Sequence, residues 1–558
     1  MAELEKSTPK LRIYTVAFHA CWVLIVVAAA VWRFRLPLEL LSDRDVWGYL
    51  SPALTKITRG VFAQVEGRAF VYPGLIYVML SIFRSLTSLA ILQHVLGLAT
   101  GALLLANWTT ARRLLPRPII PPLCYDLCGL VLMAIYLFSA QSVLGEHHLR
   151  PEGISPFFAV LGFWFTLRFL VAKHVEHNAT LALYCGAASL GVSFLLPLLK
   201  PSYSLAAVLT TLPVWWHLLA GKDKLVRRVA MAGGPVLAAL LLLWLPEHRY
   251  VEGDPKGQFF LPASLFTIHA AQIRAQMASD VASNATDVPY PHEQLQSILT
   301  LLDTEMELSR PSVRRGFAAL GFNPDYLLYS SESFCHKLTG ILPERTARAD
   351  FYRFYFRRTW RKQPAAMLHK FVIQLGLFYN FDCPVYEEKT VRFNREYSET
   401  RDMLADTDRA ALSLRVPAVA DYLNRLPALT HIHAAAVQPK VLAAIFPIFA
   451  CTYLPLLILA AAGMLWVIAA PDLRAACGTF AVAVAVGYGY NFGNNIAIAL
   501  FHTLGIGRYS HVQMSTTLLT QSLALCFVVE VVGQKIRSRR ELPAPTPLPS
   551  EVPDLSTR

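Results

Sequence analysis

The segment Ser42-Asp43-Arg44-Asp45-Val46-Trp47-Gly48-Tyr49-Leu50 sets two carboxylates a few residues beyond an apolar run that ends near Trp32. Membrane insertion gives them no purpose there. At a water interface a carboxylate can take the proton of a hydroxyl if its surroundings set its pKa. Two together, Asp43 and Asp45, can also hold a divalent cation such as Mg or Mn through oxygen ligands. The complement to such a base is fixed positive charge, which stabilises the negative charge that builds on a leaving group. Arg68, Arg150, Lys200, Arg249, Arg508 and His511 qualify by position, each lying near the end of an apolar run. An Arg grips a phosphate through parallel hydrogen bonds, and a Lys acts as a point charge. The plainer account of these cations is a side chain reaching for lipid headgroups. For Asp43 and Asp45 it is capping of the helix that follows.

The elements that must hold these residues follow from composition. The 558 residues are 54% hydrophobic and 16% charged, with a mean hydropathy of +0.41. That is too apolar for a soluble chain, so the expected class is an all-α, polytopic membrane protein. The formal charge of +13 sits in short clusters beside apolar runs, which is how topology is encoded. No basic face interleaved with aromatics appears, so nucleic acid is not an expected partner. A crossing helix needs about 20 apolar residues. Ten runs meet or approach this, at 13–33, 86–107, 119–141, 153–172, 179–199, 203–220, 229–246, 441–469, 475–499 and 511–533.

Basic clusters such as Arg112 with Arg113, Lys222 to Arg228, and Lys535 to Arg540 fall on one side when ten crossings are counted. The positive-inside rule then puts both termini in the cytoplasm. The chain divides into an N-terminal transmembrane module, 1–246, with its chemistry in the first outer loop, 34–85. A large extracytoplasmic loop, 247–440, C-terminal transmembrane helices, 441–533, and a Pro-rich disordered cytoplasmic tail, 534–558, complete it.

In the first outer loop, Val46, Tyr49, Leu50, Ala53, Leu54 and Ile57 have helical spacing, and Gly60 ends the pattern. Residues 73–84 form a second apolar run too short to cross. Both predict helices lying in the interface. In the large loop, an aromatic and basic stretch from Phe351 to Trp360 precedes Pro364. There Met367, Leu368, Phe371, Val372, Leu375 and Phe378 predict an amphipathic helix with an apolar stripe. Cys335 and Cys383 alone lie in that loop and are the pair available for a disulfide. Glu146-His147-His148 lacks a spaced third ligand and predicts no zinc site. Asn491, Asn494 and Asn495, set among Gly487, Gly489 and Gly493, predict close helix packing.

At this point the chain resembles the GT-C class of integral-membrane glycosyltransferases. The likeness is carried by Asp43-x-Asp45-x-x-x-Tyr49-Leu50-x-x-Ala53, then Gly67-Arg68-x-x-x-Tyr72-Pro73, then a second span entered through a short helix. It covers the first hundred residues and runs more loosely through Arg150-Pro151-Glu152 to the last span. The resemblance implies a GT-C-like bundle of about ten helices that moves a sugar from a polyprenyl- or dolichyl-phosphate carrier to a lipid, glycan or protein acceptor. It places Asp45, four residues before a Tyr, as general base with Asp43 as its partner. Tyr49, Arg68, Tyr72, Arg150, Glu152, Lys200, Arg508 and His511 then become substrate-binding candidates. The expected location is a bacterial inner membrane, with the site on the extracytoplasmic face. No Gly-rich nucleotide cradle is present, which favours a lipid-linked donor. The competing readings are a lipid or solute transporter or flippase, which would place ionisable groups near the midplane, and a non-catalytic scaffold.

Overall fold

A computed structural model describes residues 9–43, 45–220, 224–252, 259–313, 317, 319–386, 390–405, 407–501, 509–510 and 512–540. The apolar runs are helices. The first, α1 (Pro9–Phe34), leads into two short ones, α2 (Trp47–Arg59) and α3 (Val71–Phe83), before α4 (Thr87–Arg112). Then come α5 (Pro122–Leu137), α6 (Ala140–His147), α7 (Ser155–His174), α8 (Ala179–Leu199), α9 (Ser204–Thr210), α10 (Leu212–Ala220) and α11 (Leu225–Ala239). A π-helical turn (Leu240–Trp244) joins α11 to α12 (Leu245–Tyr250), so that Leu225–Arg249 is one span. The large loop then holds α13 (Phe260–Ile268), α14 (Ala270–Ala282), α15 (His292–Ser309), α16 (Pro324–Tyr329) and α17 (Phe334–Lys337). It continues through α18 (Arg345–Lys362), α19 (Pro364–Gly376), α20 (Phe393–Leu404), α21 (Thr407–Ser413) and α22 (Pro417–Leu429). The chain ends in α23 (Lys440–Ala469), α24 (Pro471–Phe501) and α25 (Met514–Arg540).

Among the described residues, eight helices are long and apolar enough to cross a membrane, and ten spans result if each of two bent pairs counts once. The protein is therefore an integral, multi-pass membrane protein. The runs expected as straight spans at 119–141 and 203–220 are those pairs: α5 and α6 meet at 48°, α9 and α10 at 56°. Polar residues inside the runs explain the breaks. Ser139 caps α6 by accepting from the Gln141 amide at 3.3 Å, and the Thr211 hydroxyl donates to Ala207 O at 3.0 Å. The last helix runs to Arg540, past the expected boundary at 533.

Contacts at the helix ends sort them onto two faces. Tyr14 donates to Asp126 at 2.6 Å, Glu530 accepts from the Ile119 and Ile120 amides, and Lys535 pairs with Asp472 at 3.2 Å. These gather the start of α1, the approach to α5, the start of α24 and the end of α25. At the other face Leu41 bridges to His148, and Lys200 pairs with Glu152. Each bent pair thus runs from one face to the other.

The first loop forms as its spacing predicts. Tyr49, Leu50, Ala53 and Leu54 of α2 are buried, and Gly60 closes the helix at φ 85°, where its amide bonds to Lys56 O. Of two small sheets, the first ties this loop to the chain after α12 and the second joins two parts of the large loop. β1 (Phe62–Ala63) pairs in parallel with β2 (Val251–Glu252). β3 (Thr390–Arg392) pairs antiparallel with β4 (Ala435–Val437), Val391 opposite Ala436. Helices α13 to α18 enclose their own core around Phe266, Phe334, Phe351, Tyr352 and Tyr355. Cys335 lies in that core and Cys383 in the span core, both as free thiols. Gly493 lets α24 meet α9 closely, since a Cβ there would stand 2.7 Å from the Ala206 nitrogen. Asn491 and Asn495 accept from Thr516 and Gln513 across to α25 and the residue preceding it.

The helix expected after Pro364 is α19, and the apolar residues of the expected stripe divide, with Met367 and Phe378 turned inward. Leu368 and Val372 are exposed, and the buried face carries Met367, Lys370 and Gln374. For a helix at a membrane surface, lipid is the apolar side and the protein interior the polar one.

Candidate active site

The chain from Glu39 to Asp43 is held from two sides. On one side Leu41 N donates to His147 O at 2.8 Å and Leu149 N to Leu41 O at 3.0 Å. On the other, Ser42 N donates to the Thr400 hydroxyl at 2.9 Å, and that hydroxyl donates to Ser42 O at 3.0 Å. Tyr397 donates to Glu39 O at 2.7 Å, and Tyr422 to Leu40 O. The turn that follows is local: Asp43 Oδ1 accepts from Asp45 N at 3.1 Å, and Asp43 O from Val46 N at 3.0 Å. The residue at the head of α2 is Val46, and no side chain caps the helix there.

Both carboxylates meet an arginine. Asp43 Oδ2 pairs with Arg150, and Asp45 Oδ1 accepts from Arg68 Nη2 at 3.3 Å. The Asp side chains are 38% and 36% exposed while Arg150 is 5% and Arg68 20% exposed, so the acids face the opening and the cations stand behind them. Arg68 also donates to the Tyr49 hydroxyl at 3.2 Å and lies 4.7 Å from that ring. Tyr49 packs edge-on to Tyr72 at 5.6 Å. Tyr72 donates to Gln93 at 2.7 Å, and Gln93 donates to Glu146 O and His148 O at 2.6 and 3.0 Å. Burial pushes the Tyr72 phenol well up, with the Glu152 charge adding to the effect and the Arg150 amide opposing it. Glu152 in turn accepts from Lys200 Nζ at 2.7 Å, both side chains being about 6% exposed, and Lys200 sits 4.3 Å from the Tyr509 ring. A cleft of about 180 Å³ opens here, lined by Asp43, Gln141, Glu146, His148, Arg150 and Glu152 among others.

Eight of the expected residues, Asp43, Asp45, Tyr49, Arg68, Tyr72, Arg150, Glu152 and Lys200, thus form one linked group. Arg508 and His511 lie outside the described residues. A divalent cation on Asp43 and Asp45 would have to displace both guanidiniums, and among the described residues no three His, Cys, Asp or Glu converge on a point. The arrangement fits two acids poised against cations better than it fits a metal centre.

Sequence reasoning missed the support beneath the cleft. Glu146 accepts from Arg33 Nε at 2.8 Å and Nη2 at 3.0 Å, and bonds His94 Nδ1 at 2.8 Å, with all three buried. It also missed Lys370 and Gln374 of α19 and His269 after α13. These are buried, and Lys370 Nζ, His269 Nε2 and both amide atoms of Gln374 have no hydrogen-bond partner among the described residues. Their only signal was the four-residue spacing of Lys370 and Gln374 opposite the apolar stripe.

No protein-family model matches the chain, and no curated protein matches it in sequence. Solved structures similar to it include the oligosaccharyltransferase of Archaeoglobus fulgidus, in complex with Zn and sulfate, at 10% identity and a TM-score of 0.35 over 94% of this chain. The chain spans 51% of that protein's length. ArnT from Cupriavidus metallidurans, bound to undecaprenyl phosphate, is similar at 12% identity and a TM-score of 0.28, over 88% of this chain and 78% of that one. Both are GT-C glycosyltransferases, the class that the first loop resembles. Likenesses of this size carry no argument about this chain's own chemistry.

Proposed function

We propose that this protein transfers a sugar from a polyprenyl-phosphate carrier to an acceptor hydroxyl at the Asp45 face of the membrane. The observation that supports the reading is the pairing of two partly exposed carboxylates, Asp43 and Asp45, with the less exposed Arg150 and Arg68 at one helix-end face. In the proposed step Asp45 takes the acceptor hydroxyl's proton as that oxygen bonds to the anomeric carbon. The bond from the anomeric carbon to the phosphate oxygen breaks, and its electron pair leaves with the phosphate. Lys200 and Arg150 receive the phosphate, and its charge replaces that of Glu152 and Asp43 as their partner. Asp43 holds the Asp45 turn through its bond to the Asp45 amide, and Arg68 fixes the orientation of Asp45. No step is routed through a metal ion. The outer side of a bacterial inner membrane is the proposed location.

The test uses purified protein, a radiolabelled sugar on undecaprenyl phosphate or a related carrier, and membrane extract as acceptor. Transfer by the native chain and its loss in Asp45→Asn, with unchanged gel-filtration behaviour, is the expected result. Undiminished transfer by Asp45→Asn would remove Asp45 from the chemistry.

A further inference from the structure

A second charged cluster lies at the opposite face. α7 leaves Ser155 and ends at His174, and α8 returns from Ala179 to Leu199. Glu152 and Lys200 therefore flank one end of this hairpin, and Lys173 and His177 the other. A 20-residue helix separates the ends by roughly 30 Å, about the thickness of the hydrocarbon core. At the far end α10 and α11 help close a cavity of about 220 Å³ lined by Lys173, His177, His217, Arg227 and Arg228, with no carboxylate among its described lining residues.

The nearby acid Glu176 is engaged elsewhere, by Arg113 at 2.7 Å and Arg168 at 3.4 Å. Buried His217 sits against the Lys173 ammonium, and Arg228 donates to Leu218 O, so these groups are fixed in place. His177 stands at φ 50°, a left-handed conformation that a non-glycine residue adopts at a cost. Gathering like charges around one cavity is unfavourable unless an anion joins them. The surroundings narrow the choice of anion. The lining also includes the apolar Ala182, Leu183 and Met231, and α10 and α11 carry Trp216, Leu219, Leu225 and Val226 at 71%, 77%, 69% and 79% exposure. Polar lining beside a bare apolar surface suits an amphiphile.

We propose that this cavity binds the phosphodiester headgroup of an anionic membrane lipid, with the acyl chains along the outer faces of α10 and α11. Arg227 meets the phosphate oxygens through its N–H donors, and Arg228, held by the Leu218 and Leu219 carbonyls, and Lys173 add positive charge. This site is independent of the transfer reading.

Native mass spectrometry of the full chain in neutral detergent tests it, with phosphatidylglycerol, phosphatidylcholine and inorganic phosphate as probes. The native chain and Asp45→Asn are both expected to retain phosphatidylglycerol over phosphatidylcholine. Arg227→Gln with Arg228→Gln should weaken that retention by about fivefold per charge removed. Equal retention of the two lipids, or an unchanged double variant, overturns the proposal. Displacement of phosphatidylglycerol by inorganic phosphate at millimolar concentration would make the ligand a soluble phosphate and also overturn it. If the double variant aggregates, Lys173→Gln takes its place, with a loss of about fivefold expected.

Discussion

Glu152 and Lys200 show how one residue pair serves both structure and the proposed chemistry. Their charges lie 2.7 Å apart with both side chains almost fully buried. Such a pair contributes little net stability, but removing one partner strands a buried charge at a cost of about 3–5 kcal/mol. Glu152→Gln should therefore lower thermal stability markedly. Glu152→Met with Lys200→Met should recover most of that loss and still fail in sugar transfer, because no amine remains for the phosphate. Recovery of transfer together with stability would exclude Lys200 as the phosphate contact. The same scale decides the metal question. With Arg150 and Arg68 already against Asp43 and Asp45, transfer should survive chelation by EDTA. A loss that Mg or Mn restores would put a cation between the two acids. The sequence marked both aspartates as candidates because acids there break the expected pattern, and the structure sets each against an arginine. The Arg33–Glu146–His94 network was not, since its members converge from different helices, Arg33 and Glu146 standing 113 positions apart.

At the scale of elements, α19 was legible as an interfacial helix, but the polar groups on its protein-facing side were not. The pattern marks an apolar stripe, but only the membrane decides whether that stripe faces lipid or core. The result is Lys370, 5% exposed, with its amine pushed down to about 7 by burial. The folded pKa lies below the ordinary lysine value of about 10.4. As pH falls from that value towards 7, the unfolded chain takes up a proton that the folded one refuses. Stability should therefore decline across this window and level off below it. Lys370→Met removes the cost, so its apparent Tm should exceed that of the native chain by more at pH 7.5 than at pH 9.5. An equal difference at both pH values would mean that the ammonium is solvated or paired. The bends after Leu137 and at Thr211 were missed for a related reason: single polar residues inside apolar runs are common, and only the packing shows which of them break a helix.

For the molecule as a whole, ten crossings follow from contacts at the helix ends. The α5–α6 pair begins beside Glu530, on the face of Asp472 and Lys535, and ends beside Leu41. The α9–α10 pair begins next to Lys200 and ends at His217 against Lys173. Reading either pair as a re-entrant loop would pull these contacts apart. Ten crossings leave both ends of the described chain on one face, the face richer in basic clusters, which the positive-inside rule assigns to the cytoplasm. On the proposed reading the Asp45 face then opens outside, where a lipid-linked sugar presents its head. Thiol labelling can settle this in a variant whose exposed Cys21, Cys124, Cys128 and Cys451 are replaced by Ser. Gln64→Cys, in the exposed part of the first loop, should react with a membrane-impermeant maleimide on intact cells. Val175→Cys, 44% exposed at the α7–α8 turn, should react only after permeabilisation. The reverse pattern would turn the Asp45 cleft to the cytoplasm and leave an outward-presented carrier out of its reach. Labelling of both positions on intact cells would place the two hairpin ends on one side and break the ten-crossing arrangement itself.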